Sequence, residues 1–247
     1  MTVTDNGWDS RAWLDGDWLH RAPRREEVRP RLLAEARLLP WLAPQLPLPV
    51  PIPELTEDGV RHRLLVGEPL AEASTALGRE LGSFVKALHE VDPVAAVEHG
   101  ALDPATAEAE RAEVMAEMRE KVLPLLPEPE RSRGASLLDG IGGVNTALVH
   151  GDLGPDHLRV YDGRITGIID WTDAHIGDPA MDLSWLLHAA PRALSEGVAE
   201  TYRPSDELVR RAYDWHRLGP WYEVVHGLVT DRPELVESGL SGVLARL

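Results

Sequence analysis

The 247-residue sequence contains no cysteine. A disulfide scaffold, a zinc finger and a cysteine nucleophile are therefore excluded. Lysine is nearly missing as well: Lys86 and Lys121 are the only two among 25 basic residues, which constrains any mechanism that demands a lysine. Positive charge is outnumbered, 25 Lys+Arg against 41 Asp+Glu, for a net charge of −16. Neutralising phosphates along a strand needs surplus basic residues, so no nucleic-acid partner is expected. No apolar run approaches the roughly 20 residues of a membrane span, and MTVTDNGWDS lacks a basic–apolar signal pattern. No membrane association is expected, and the expected location is cytoplasmic. Internal repeats and low-complexity tracts are absent too.

What remains is ordinary globular composition, 43% hydrophobic and 27% charged, long enough for one large domain or two small lobes. Charge is unevenly spread. Residues 1–66 carry 9 Arg against 10 acids, a net of −1, and the rest carries −15. Such a split predicts two parts with different tasks.

The first part reads as strands around one helix. Asp15-Gly16 between Trp13-Leu14 and Trp18-Leu19-His20 is a hairpin signal. From Glu26 to about Leu39 the pattern is helical, with Leu32, Leu33, Ala36 and Leu39 on one face, and Pro40 and Pro44 are expected to end or kink it. LPLPVPIPEL suits an edge strand or an extended connector. Val60 to Val66 is a strand candidate, followed by a turn or hinge at Gly67-Glu68-Pro69.

The second part opens with a helix whose stripe is Leu77, Leu81, Phe84, Val85 and Leu88, and continues with a charged amphipathic helix over 105–123. Two β-rich runs, about 157–161 and 164–169, flank the turn Asp162-Gly163. After Asp178-Pro179 the chain is helical to its end, with breaks expected near Pro191, Pro204, Pro220 and Pro233.

The densest polar cluster is His150, Asp152, His157 and Asp170, at the ends of short apolar runs where side chains are held rigidly yet meet solvent. If Asp152 and Asp170 converge, two roles are open. The pair can bind a hard divalent cation, or it can divide duties between metal ligand and general base.

The stretch HGDLGPDHLRVYDGRITGIIDWTDAHIGDPAMDL resembles the core of the aminoglycoside/macrolide phosphotransferase family, which has a protein-kinase-like fold. The matching features are His150-Gly151-Asp152, Asp170, Gly177-Asp178-Pro179 and Asp182-Leu183, over about 35 residues. Weaker agreement extends through GEPL at 67–70, Leu88-His89 and GWDSRAW near the start.

The resemblance implies an α+β, two-lobed fold: a small β-rich nucleotide-binding lobe over 1–66, a hinge at 67–70 and a larger helical catalytic and acceptor-binding lobe over 71–247. It implies a Mg²⁺-dependent kinase that moves the γ-phosphoryl of ATP or GTP to a hydroxyl of a small-molecule acceptor. Asp152 falls at the catalytic aspartate and Asp170 at the aspartate that holds Mg²⁺. His157 stands where many members have a metal-binding Asn, so it is a candidate for metal or phosphate, and a histidine there is similar to the macrolide-kinase branch. Glu35 fits the acid that pairs with the phosphate-binding base. That base is usually Lys; here Arg21 is the position-matched candidate, and it can hold phosphates bidentately. Gly7 and Ser10, in the loop resembled by GWDSRAW, are candidates for phosphate contact, with Asp9 beside them. Gly7 lies only six residues from Met1, so the family's first strand is expected to be absent or very short.

His150 is expected to be a buried scaffold residue, and Asp178 and Asp182 to tie down the loop carrying Asp152. Asp173, Trp215, Tyr222 and Glu223 are candidates for an acceptor pocket. The −15 of the second part fits a cationic acceptor, with macrolides and aminoglycosides favoured. A metabolite kinase, a catalytically impaired nucleotide-binding relative and a metal-dependent hydrolase are the alternatives. The sequence does not distinguish monomer from dimer.

Overall fold

A computed structural model describes residues 2–4 and 10–247 of the chain. Gly7 and Asp9 lie outside the described residues. Strands β1 (Thr2–Thr4), β2 (Ser10–Asp15) and β3 (Trp18–Pro23) lead into helix α1 (Arg29–Leu42). Strands β4 (Glu54–Leu55) and β5 (Val60–Arg63) complete a five-stranded antiparallel sheet of order β1-β2-β3-β5-β4. The first strand is thus short but present, with Val3 opposite Trp13.

Three expectations for this part need correction. Pro40 does not end α1, which runs on to Leu42, and Leu33 is exposed. The buried stripe is instead Leu32, Glu35, Leu38, Leu39 and Leu42, whose three- and four-residue steps keep an acid on the inner face. Strand β5 stops at Arg63, short of Val66. The proline-rich connector is extended as expected and ends in the edge strand β4.

The connector after β5 carries β6 (Glu68–Pro69), which pairs with β8 (Leu158–Tyr161). A further main-chain bond runs from Leu70 N–H to the Pro155 carbonyl, at 3.1 Å. The junction between the two parts is therefore laced to the segment that follows Asp152. Strand β9 (Arg164–Ile168) completes this three-stranded sheet, with Asp162 and Gly163 at φ 48° and 69° in the turn, as a tight two-residue hairpin requires.

The remainder is helical. Helix α2 (Thr75–His89) is capped by Ser74, whose hydroxyl accepts from Leu77 N–H, and it buries the whole predicted stripe. Helices α3 (Pro93–Glu98) and α4 (Pro104–Lys121) start on Asp92 and Asp103 caps, each followed by proline at the first helical position. Helix α5 (Glu128–Gly140) follows, and then strand β7 (Ala147–Val149) pairs with β10 (His175–Gly177). Helices α6 (Ala180–His188), α7 (Arg192–Tyr202), α8 (Asp206–Val229) and α9 (Pro233–Arg246) finish the chain, α7 packing on α2 and α8 between α6 and α9.

Pro220 is a further correction: it lies buried inside α8 and breaks nothing. Proline there frees the His216 carbonyl four residues earlier, and the Arg246 guanidinium supplies a donor to that oxygen at 2.8 Å. One core cluster joins α1, α2 and the C-terminal helices, with Phe84, Trp171 and Trp221 among its largest buried side chains. No helix among the described residues is long and apolar enough to cross a membrane.

Candidate active site

The loop that carries Asp152 is held from beneath by one buried carboxylate. Asp182, on α6, is 1% exposed and accepts from His150 N–H at 2.9 Å, Gly151 N–H at 3.0 Å and His89 Nε2 at 3.1 Å. Burial alone would raise its pKa. The hydrogen bond and charge of His89 and the hydrogen bond from His150 N–H outweigh that, and the carboxyl sits below its ordinary value. Gly151 has φ 88°, and a Cβ there would meet the Asp173 carbonyl at 2.5 Å, so this step of the loop admits only glycine.

His150 is fully buried, as expected for a scaffold residue. Its Nε2 donates to the Ile169 carbonyl at 3.0 Å, which leaves Nδ1 to accept from Asp152 N–H at 3.3 Å. That pattern requires the neutral ring, and burial lowers its pKa accordingly. One imidazole thereby fixes the backbone of both the Asp152 loop and the strand end before Asp170. Asp178, by contrast, does not hold that loop. It caps α6 through Ala180 N–H and binds Arg211 and Trp215 of α8.

Above this frame the chemistry-bearing groups converge. Asp170 follows β9 at φ 65°, a left-handed turn that aspartate tolerates. The turn sends Trp171 into the core, its Nε1 donating to the Ile168 carbonyl at 2.9 Å, and leaves the Asp170 side chain 47% exposed. Asp152 is 64% exposed on its side chain. His157 lies between them, its Nδ1 donating to the Asp152 carbonyl and its Nε2 3.8 Å from Asp170 Oδ2.

From the small lobe, Arg21 on β3 reaches down to the same place. Its Nη1 donates to both oxygens of Glu35 on α1 at 2.9 Å. Its Nε donates to Ser10 Oγ at 3.3 Å, and its Nη2 to Thr172 Oγ1 at 2.8 Å and Asp170 Oδ1 at 3.4 Å. Burial pushes the Glu35 carboxyl up, opposed by the Arg21 charge and reinforced by Asp170. Lys86 and Lys121 are elsewhere, paired to Glu90 at the end of α2 and to Glu117 within α4.

A cavity of about 1020 Å³ opens beside Asp152, between α1, α4 and α8. Its lining includes Glu27, Glu35, Glu110, Asp152 and Asp173 against only Arg31 and Arg111, so it is net acidic. Trp215 and Tyr222 also line it, and Glu223 does not. Arg31 ties two of its lining acids together, donating to Asp173 at 2.9 Å and Glu110 at 2.8 Å. Sequence reasoning missed Arg31, Glu110 and Thr172, because nothing local marks residues whose partners lie 79 to 151 positions away.

No group of three or more His, Asp or Glu among the described residues is arranged to hold a metal ion. The donors at the cleft still suit Mg²⁺, which keeps several waters and takes one or two carboxylates plus phosphate oxygens. Asp152 and Asp170 supply hard, half-exposed carboxylate oxygens of that kind.

A small antiparallel lobe over a helical lobe, with carboxylates and a paired cation meeting at the seam, defines the two-lobed kinase-like fold. The comparisons narrow this. Residues 2–221 match the phosphotransferase enzyme family APH, and the chain belongs to that family. The macrolide 2'-phosphotransferase MphH from Brachybacterium faecium is 30% identical, with TM-score 0.75 over 98% of this chain and 90% of that one. The GDP complex of wild-type aminoglycoside 2'-phosphotransferase-IIIa shares the fold at TM-score 0.80 and 24% identity, over 100% of this chain and 92% of that one. An uncharacterised protein of Bacillus subtilis, YcbJ, is 29% identical over 185 residues, which are 67% of this chain and 60% of that protein. Viomycin phosphotransferase of Streptomyces vinaceus is 36% identical over 74 residues, 27% of this chain and 26% of its own length.

Proposed function

We propose that the protein is a Mg²⁺-dependent kinase that transfers the γ-phosphoryl of ATP or GTP to a hydroxyl of a cationic small molecule. The observation that carries this reading is the meeting of Arg21 and Asp170 across the seam between lobes, beside an accessible Asp152. Residues 1–66 form the nucleotide lobe, 67–70 the hinge, and 71–247 the catalytic and acceptor lobe.

Catalysis here is positioning and charge neutralisation. Arg21, oriented by Glu35 and Ser10, holds phosphate oxygens. Asp170 would hold the metal, with His157 beside it, and bound Mg²⁺ would supply charge neutralisation on the transferring phosphates. Asp152 orients the acceptor hydroxyl and takes its proton. The acceptor oxygen forms its bond to the γ-phosphorus as the bond from that phosphorus to the β,γ-bridging oxygen breaks, leaving the nucleoside diphosphate.

The net-acidic cavity favours a cationic acceptor. Macrolides are the first acceptors to test, since the relative at 30% identity is a macrolide 2'-phosphotransferase, and aminoglycosides the second. A new phosphate adds roughly two negative charges to such a molecule, which is a route to antibiotic inactivation. The test is thermal unfolding with Mg²⁺ and millimolar ATP or GTP. The melting temperature is expected to rise, and Asp170→Asn to abolish the rise. No shift with either nucleotide would remove the kinase reading.

A further inference from the structure

Arginine in the phosphate-binding position brings a difficulty that lysine does not. A guanidinium has five N–H donors in a rigid fork and pairs side-on with carboxylates at about 2.7–2.9 Å. Asp170 is within reach, and a close fork-to-carboxylate pair would seal the oxygens that must face metal and phosphate.

The structure shows how this chain avoids that collapse. Glu35 takes Nη1 with both of its oxygens, and Ser10 takes Nε. The remaining arm, Nη2, is taken at 2.8 Å by the hydroxyl of Thr172, while its distance to Asp170 stays at 3.4 Å. The same hydroxyl donates its own proton to Asp170 Oδ1 at 3.2 Å. Thr172 therefore sits between the two charges, accepting from one and donating to the other.

We propose that Thr172 is a positioning residue that keeps Arg21 and Asp170 apart and available for a nucleotide. This inference rests on the kinase reading above. A neutral hydroxyl binds the arm well enough to orient it, and releases it to a phosphate oxygen more readily than a carboxylate does. Replacing the hydroxyl with a methyl leaves Asp170 as the nearest acceptor for Nη2 among the described residues, and the ion pair tightens over the metal position.

The test is a double-mutant cycle read by calorimetric Mg²⁺·ATP and Mg²⁺·GTP binding, so that no acceptor need be known. Thr172→Val is nearly isosteric and half-buried, so it should fold. It is expected to weaken nucleotide binding about ten-fold, the scale of one hydrogen bond to a charged group, with Thr172→Ser within about two-fold of wild type. In an Arg21→Lys background the same Thr172→Val change should matter less than about two-fold, because an ammonium has no fork to restrain. Equal losses in both backgrounds, or no loss in either, would overturn the positioning role while leaving the kinase reading intact. A wild-type protein that binds neither nucleotide would sink both.

Discussion

The molecule holds two carboxylate-centred networks about one loop, and they differ in almost every physical respect. Beneath the loop, Asp182 is buried and, among the described residues, accepts from groups of its own lobe. Above it, Asp152 and Asp170 are half-exposed, and Asp170 is met by an arginine from the other lobe. The residue types are nearly the same, acids with histidine and backbone partners. Burial and connectivity separate the fastening from the chemistry.

Breaking the lower network should cost the most stability. Asp182→Ala leaves the buried His150 N–H, the part-buried Gly151 N–H and His89 without their acceptor, and is expected to destabilise by about 3–5 kcal/mol in denaturant titration. A loss under about 1 kcal/mol would mean that water replaces the carboxylate, and the contrast between the networks would blur.

Next comes the one ion pair of the upper network that is also buried. Arg21→Met strands Glu35, whose side chain is 1% exposed, in a site that already pushes its carboxyl up. We expect a loss of about 3 kcal/mol at pH 7. The loss should shrink as pH falls toward 5, since a protonated Glu35 needs no cation. A pH-independent loss would contradict this account of the pair.

A smaller effect follows from histidines kept neutral. Burial lowers the pKa of His62 and His150, and burial followed by the Arg246 and His188 charges lowers that of His216 to about 4. Groups with depressed folded values that must charge on unfolding give stability that is complete above about pH 6.5 and is lost as pH falls below it. Glu35 acts in the opposite sense, but it is one group against three. The melting temperature should therefore fall between pH 7 and pH 5; a flat or rising profile would refute this balance.

Much of the site was legible in the sequence because it is local. HGD, the hairpin turn at Asp162-Gly163 and the strand end at Asp170 fall within one short stretch, and period-two and period-four patterns carry their geometry. Arg21 and Glu35 were legible by position, fourteen residues apart on a strand and the helix packed on it. Thr172, Arg31 and Glu110 were not, because their meaning arises only when the lobes meet. The two proline errors have the same origin. Pro40 and Pro220 lie in helices that pack into the core, and at Pro220 the freed carbonyl is satisfied by Arg246 from 30 residues away.

The smallest stability effect belongs to the residue given the largest chemical task. Asp152 is exposed, and among the described residues its carboxylate is paired only loosely, 3.7 Å from His157 Nδ1, so Asp152→Ala should change stability by no more than about 0.5 kcal/mol. The measurement that tests the account most directly is γ-phosphoryl transfer by wild type and Asp152→Ala, from ATP and GTP, to a panel of macrolides and aminoglycosides. Wild type should phosphorylate at least one of them. The variant should bind nucleotide as tightly yet transfer about 10²–10⁴-fold more slowly, the usual worth of a general base. Equal turnover by the variant would contradict the assignment of Asp152, and with it the division between a network that fastens and a network that reacts.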